Sequence, residues 1–272
     1  MKPVNSEEYD CKYFLHACGG YELFNEYGGK LLPPHHLYSL NLAKLNKRMT
    51  VLDYGCGRGE IVIHAAYKAR KVYGMDYSKA ALQLARRSSR LFPKKINNKI
   101  SWLYQKSKKL PFKDESIDVI FFLDVIEHLY PEENDILFEE FKRILKFSGK
   151  IIIHTSPNKD YIDKGYRYYT RFLKMILYYP SKFILKNEIN FSMNPRTDYE
   201  KIMHVNEQSP KILEYFLKKH NFKAVVWADD KPLADKSYIY YLSKLFIHPT
   251  WIPFLGKYFR HNIWAIVRKD KI

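Results

Sequence analysis

The residues best suited to chemistry gather around one short run, Asp53-Tyr54-Gly55-Cys56-Gly57-Arg58-Gly59-Glu60, directly after the apolar stretch that begins at position 50. Gly55 and Gly57 permit a tight turn and let the backbone approach a ligand closely. A dinucleotide fingerprint, G-x-G-x-x-G, needs a glycine at position 60, and this chain has Glu60 there. Asp53 and Glu60 flank the turn with negative charge, which disfavours a pyrophosphate and favours a cationic ligand. A second acidic group, Asp76 in "VYGMDYS", stands about 20 residues beyond the first glycine, where a strand-end carboxylate takes ribose hydroxyls. Two histidines complete the set, His128 in "DVIEHL" and His154 in "IIIHTSPN".

These groups need a scaffold that presents strand ends. Residues 50–54, 71–75, 100–104, 118–123 and 149–154 are short apolar runs, several of them rich in β-branched residues. Segments with helical character separate most of them, at 60–69, 79–91 and 132–145. That alternation predicts right-handed crossovers and a parallel sheet. Ser78 stands where an N-cap belongs, and Ser209-Pro210 supplies a cap followed by proline at the first helical position. A helix over 211–220 and strands at 223–228 and 262–267 bring the count to about seven. His128 and His154 then fall at carboxyl ends of strands, where open α/β sheets bind ligands. The expected organisation is an N-terminal cap over 1–49, a core over 50–158, an insertion over 159–208 and the rest of the sheet over 209–272.

A carboxylate-flanked glycine turn with a ribose-binding aspartate suits S-adenosylmethionine (SAM), which carries ammonium and sulfonium groups. The chain resembles the class I SAM-dependent methyltransferases, in particular the ubiquinone-biosynthesis-like branch. The resemblance rests on "VLDYGCGRGE" (51–60), "VYGMDYS" (72–78), "LPFKDESIDVIFFLDVIEHL" (110–129) and "RILKFSGKIIIHTSPN" (143–158), with "HVNEQSPKILEYFLKKHNF" (204–222) similar to a late family helix. It implies a Rossmann-like α/β fold, a seven-stranded mostly parallel sheet with helices on both faces. It further implies that Asp53, Gly55, Cys56, Gly57 and Gly59 surround the methionine part of SAM. Asp76 would hold the ribose, Tyr77 would lie along the adenine, and Leu123 and Asp124 would line the floor. Family members often have an acidic residue four positions before "LPF"; this chain has Lys106, so adenine recognition is expected through the backbone around Ser107. The N-terminal "YFLHACGGYELFNEYGG" (13–29) is expected to fold over the cofactor, bringing Tyr13, Tyr21 or Phe24 to the sulfonium, or simply to pack a cap onto the sheet.

Methyl transfer is an in-line displacement that leaves S-adenosylhomocysteine, and positioning supplies much of its rate. A hydroxyl acceptor also needs a base, for which His128 is the first candidate and His154 the second. The alternative for His128 is that it braces the next helix. No zinc-type cysteine spacing, H-E-x-x-H or P-loop lysine occurs, and no metal is expected.

The net charge of +17 points to an anionic partner or to a lysine-rich background. The segment 163–186, "DKGYRYYTRFLKMILYYPSKFILK", places Arg167, Arg171 and Lys174 on one helical face and Tyr168, Phe172, Leu173, Ile176 and Leu177 on another, with Pro180 ending or kinking the helix. Such a segment serves as an acceptor lid, or as a lid facing an anionic membrane, and 238–259 repeats its aromatic and basic mixture around Trp251. Three readings follow: methylation of a hydroxyl on a small-molecule, sugar or lipid-linked acceptor, methylation of RNA, and SAM binding without catalysis. The scattered basic residues place nucleic acid behind the first. Cys11, Cys18 and Cys56 read as reduced thiols, "MKPVNSEEYD" lacks the signal-peptide pattern, and no apolar run nears the ~20 residues of a membrane span. A cytoplasmic protein with peripheral membrane contact is the expectation. "PPHH" (33–36) is left open between a substrate-facing and a structural role.

Overall fold

Strand β1 (Thr50–Tyr54) is buried along its whole length, as a continuous apolar run in a sheet covered on both faces must be. Around it a computed structural model, which describes residues 6–105, 107–176, 194–229 and 249–270, builds a seven-stranded sheet in the order β3-β2-β1-β4-β5-β7-β6. The other strands are β2 (Lys71–Asp76), β3 (Ile100–Tyr104), β4 (Ile117–Leu123), β5 (Leu145–Thr155), β6 (Phe222–Asp229) and β7 (Asn262–Lys269). Six strands point the same way, and β7, between β5 and β6, runs antiparallel to both. The expected fold class holds, with one difference in a strand's extent. β5 starts at Leu145 rather than near 149, because the chain joins the sheet through a register shift opposite Ile117 and Val119.

The two apolar cores lie on opposite faces of the sheet. Helices α7 (Pro131–Ile144) and α9 (Pro210–Lys219) cover one, contributing Phe138, Phe141, Leu213 and Leu217. The other lies under α3 (Pro34–Ala43), α4 (Glu60–Lys68), α5 (Lys79–Ser89) and α6 (Lys94–Asn97), with Leu40, Val62, Ala65, Leu82 and Ile96 inside. The predicted caps are present: Ser78 Oγ accepts the Ala81 N–H and Ser209 Oγ accepts the Ile212 N–H. Ahead of β1, α1 (Cys11–His16) and α2 (Tyr21–Tyr27) form a cap near the carboxyl ends of the strands.

The predicted helix at 163 onwards takes a wider form. Residues Tyr161–Thr170 are π-helical, closed by the Arg171 N–H donating to the Tyr166 carbonyl, and 171–176 continue as α-helix. Tyr161, Ile162, Gly165, Tyr166 and Thr170 are its buried residues, a four-to-five-residue spacing that the i→i+5 turn satisfies and an α-helix does not. Of the apolar face read from the sequence, Tyr168, Phe172 and Ile176 are exposed and Leu173 is half-buried. Leu177, Pro180 and residues 238–248 lie outside the described residues.

Candidate active site

A cavity of about 400 Å³ opens at the carboxyl ends of β1, β2 and β4. Its floor is the glycine turn. Gly55 has φ +76°, and a Cβ there would stand 2.4 Å from Val125 Cγ2, so no larger residue fits. Gly57 donates its N–H to Asp76 Oδ2 at 2.9 Å, while Asp76 Oδ1 accepts the Ser78 N–H at 2.8 Å. Burial is the main influence on Asp76 and pushes its carboxyl up to about 6, against those backbone donors. A carboxylate offers about four lone-pair sites, so Asp76, which lines the cavity, retains acceptor capacity for hydroxyl donors.

Cys56, Tyr77, Leu123 and Asp124 also line the cavity, as expected. Others do not. Gly59, at φ +83°, faces Trp102 and Ala85, which its Cβ would meet at 2.5 and 2.9 Å; it serves packing of α4 on the sheet. Ser107 is exposed and binds the Lys109 N–H, and Lys106 lies outside the described residues. Asp53 is buried beneath the turn rather than in the cavity wall.

The cap supplies the opposite wall, through Tyr9, Tyr13 and Phe14. Tyr21, expected there, instead bonds Glu22 at the surface, and Phe24 lies buried under the Arg58 guanidinium at 4.9 Å. The reason is Arg58. Its side chain is buried, donating to the Phe14 and Gly19 carbonyls at 2.8 and 2.7 Å and to Glu60 Oε1 at 3.1 Å. The charge on Glu60, read from sequence as exposed to the ligand, is thus neutralised by its neighbour. Across the cavity Tyr13 meets Tyr199 of α8 (Asp198–Met203) with ring centroids 5.5 Å apart.

Both candidate histidines line the cavity, in different surroundings. His128 is committed: Nδ1 is 2.9 Å from the Tyr9 hydroxyl, and the ring also bonds the backbone of Met203. Burial, then His204, hold its imidazole neutral with a pKa lowered to about 3. His154 lies behind Asp124, its Nδ1 at 2.8 Å from Oδ1 though not as an aligned hydrogen bond, and its Nε2 at 3.2 Å from Asn262 Oδ1. A third histidine joins them. His35, on the first turn of α3, stacks on His154 with centroids 5.4 Å apart, and its Nε2 stands 3.7 Å from Asp124 Oδ2. Burial opposes ionisation of Asp124, but His154, His35 and His36 outweigh it and hold the carboxyl well below the usual range. Burial, above all, lowers His35 and His36 to about 3. Sequence reasoning left this pair undecided, and only "PPHH" signalled it. Among the described residues, two trios bring ligand-type atoms within 4.8 Å: His35, His36 and Asp124, and Glu127, His128 and His204.

A glycine turn under an open cavity, an acidic side chain closing the second strand and a seven-stranded sheet with one reversed strand define the class I SAM-dependent methyltransferase fold. Residues 52–153 match the family described as "Methyltransferase domain", so this part of the chain is a methyltransferase domain with SAM as its cofactor. A Mycobacterium tuberculosis protein named as a probable SAM-dependent methyltransferase is 31% identical over 131 residues, 48% of this chain and 44% of that one. The 27-O-demethylrifamycin SV methyltransferase of Amycolatopsis mediterranei is 27% identical over 103 residues, 38% of this chain and 37% of that one. The chain thus spans less than half the length of these relatives. In fold it is similar to DhpI in complex with S-adenosylhomocysteine, with a TM-score of 0.58 at 12% identity, covering 99% of this chain and 97% of that one. The residues fit the cofactor: a buried carboxylate with acceptor capacity, aromatic rings from both sides and anionic Asp124 suit a nucleoside bearing a sulfonium. None of the helices in the described residues is long and apolar enough to cross a membrane.

Proposed function

We propose that the protein methylates a hydroxyl of a small-molecule, sugar or lipid-linked acceptor. When bound, SAM supplies a methyl group on a positively charged sulfur. Asp76 would hold the ribose, Tyr77 the adenine side and the turn from Gly55 to Gly57 the methionine part, with Leu123 as floor. The observation that carries the oxygen reading is the Asp124 carboxylate set between His154 and His35 at the cavity wall. An acceptor hydroxyl at this wall passes its proton to His154, with the Asp124 carboxylate stabilising the imidazolium as it forms and His35 stacked against the ring. His154 keeps its candidate role as part of that cluster, while His128, bonded through Tyr9 and Met203, positions the cap. The likeness to 27-O-demethylrifamycin SV methyltransferase, whose name states an oxygen acceptor, supports the same reading.

A peripheral contact with an anionic membrane goes with it. The π-helical segment and the loop before β7 pack together, with Gly165 against the Tyr258 backbone and Tyr169 against Phe259. They expose Tyr168, Phe172, Trp251 and Phe254, the last 90% accessible, beside Lys164, Arg167 and Lys257. Aromatic tips rimmed by cations are what a headgroup region accepts. Methyl-labelled SAM offered with separate lipid, small-molecule and RNA extracts tests the whole reading. Label in lipid or small molecules is expected. Label in RNA would replace the acceptor class, and bound SAM without label would favour a binding protein.

A further inference from the structure

A second cavity, about 390 Å³, adjoins the first. Ser156 and Glu200 line both, so the two are adjacent. Its walls are largely flat rings: Tyr161, Tyr166 and His261, with the Tyr161 and His261 centroids only 3.8 Å apart. Pro157 and Ile162 add apolar surface.

Three charged groups face this space, Arg196, Glu200 and Lys174. Arg196 is neutralised, its guanidinium forked onto the Glu207 carboxylate. Glu200 is engaged at the start of α8, where its carboxylate accepts the Thr197 N–H. Lys174 remains. Its ammonium lies 5.6 Å from the Tyr166 ring centroid and has no carboxylate partner among the described residues. Burial lowers its pKa. A half-buried cation with an aromatic neighbour and, among the described residues, no ion-pair partner suits an anionic ligand.

We propose that this cavity is the acceptor site and that it takes a flat, unsaturated molecule carrying an anionic group, a carboxylate or a phosphate monoester. Its ring lies among Tyr161, Tyr166 and His261, its anion sits on Lys174, and its nucleophilic end passes Ser156 and Glu200 into the cofactor cavity. The inference rests on the methyl-transfer reading and narrows its acceptor class.

Three probes test it by calorimetry on the full chain: phenol, benzoate and phenyl phosphate. At least one of the anionic probes is expected to bind tenfold or more tightly than phenol, a ratio worth about 1.4 kcal/mol. Which anion binds better separates a carboxylate acceptor from a phosphorylated one. Lys174→Met should abolish the preference, while Lys211→Met, on the exposed side of α9, should leave it intact and so exclude a general effect of the +17 charge. SAM affinity, measured on the same samples, reports that each variant is folded. Equal binding of all three probes, or a preference that survives Lys174→Met, overturns the anion site while leaving methyl transfer standing. Absence of SAM binding by the unaltered protein would instead remove the reading beneath it.

Discussion

Arg58→Met isolates the contact that joins the cofactor turn to the cap. Methionine keeps the apolar stem and removes the guanidinium, leaving the Phe14 and Gly19 carbonyls without their donor and the Glu60 carboxylate buried without its counter-charge. Removing one partner of a buried ion pair costs about 3–5 kcal/mol when the other stays enclosed. Here relief is at hand, because the cap can detach and let water reach Glu60. The loss of global stability should therefore fall toward the lower figure, about 3 kcal/mol, with the remainder appearing as an opened cap. Since Tyr9, Tyr13 and Phe14 form one wall of the cavity, SAM affinity should drop at least tenfold, about 1.4 kcal/mol. Urea denaturation gives the first quantity, calorimetry with S-adenosylhomocysteine the second, and chymotrypsin cleavage within 9–27 reports the cap. Arg58→Met combined with Glu60→Gln should recover part of the stability, because the stranded charge is gone, but not the cap. A single variant within 0.5 kcal/mol of the parent, with its cap still protected, would refute the reasoning.

Other outcomes follow from single groups. Gly59→Ala meets Trp102 and Ala85 at a left-handed backbone position, so it should cost several kcal/mol of stability in a melt, with affinity for SAM unchanged in the molecules that remain folded. His154→Ala should lower kcat about 10²–10⁴-fold, the usual worth of acid–base assistance, with SAM affinity within a factor of two; retained turnover would remove the proton-accepting role. Asp76, held near 6, must be ionised to accept ribose hydroxyls well. SAM binding should therefore be constant above about pH 7 and weaken as pH falls through 6, approaching tenfold per unit, and Asp76→Asn should flatten that profile. Replacing both Trp251 and Phe254 by serine should release the protein from phosphatidylglycerol vesicles in a sedimentation assay without altering its SAM affinity.

Much of the sheet was legible because buried parallel strands read as unbroken apolar runs; β1 to β4 matched to within a residue or two. Ser78 and Ser209 announced their helices through short-range hydrogen bonding that sequence carries directly. The glycine turn and Asp76 were equally local. What escaped depends on partners distant in the chain. Arg58 fills a variable place in a glycine motif, and only the folded cap gives it carbonyls 39 and 44 residues away. His35 gains meaning from Asp124 and His154, which the topology brings to one wall. Tyr21 was a fair choice by composition, yet its helix begins at left-handed Gly20 and points the ring outward. The π-helix was hidden because Arg167, Arg171 and Lys174 fit an α-helical stripe, whereas the buried positions beneath them follow a wider turn.

The cavity's two walls have separate origins along the chain. The glycine turn, Asp76, Leu123 and Asp124 all precede residue 125, while Ser156, Lys174, Arg196 and His261 all follow residue 155. The family match ends at 153, at the seam between them. The second half still reaches the first cavity, through Tyr199, Met203 and Asn262, so the two parts meet at a shared wall.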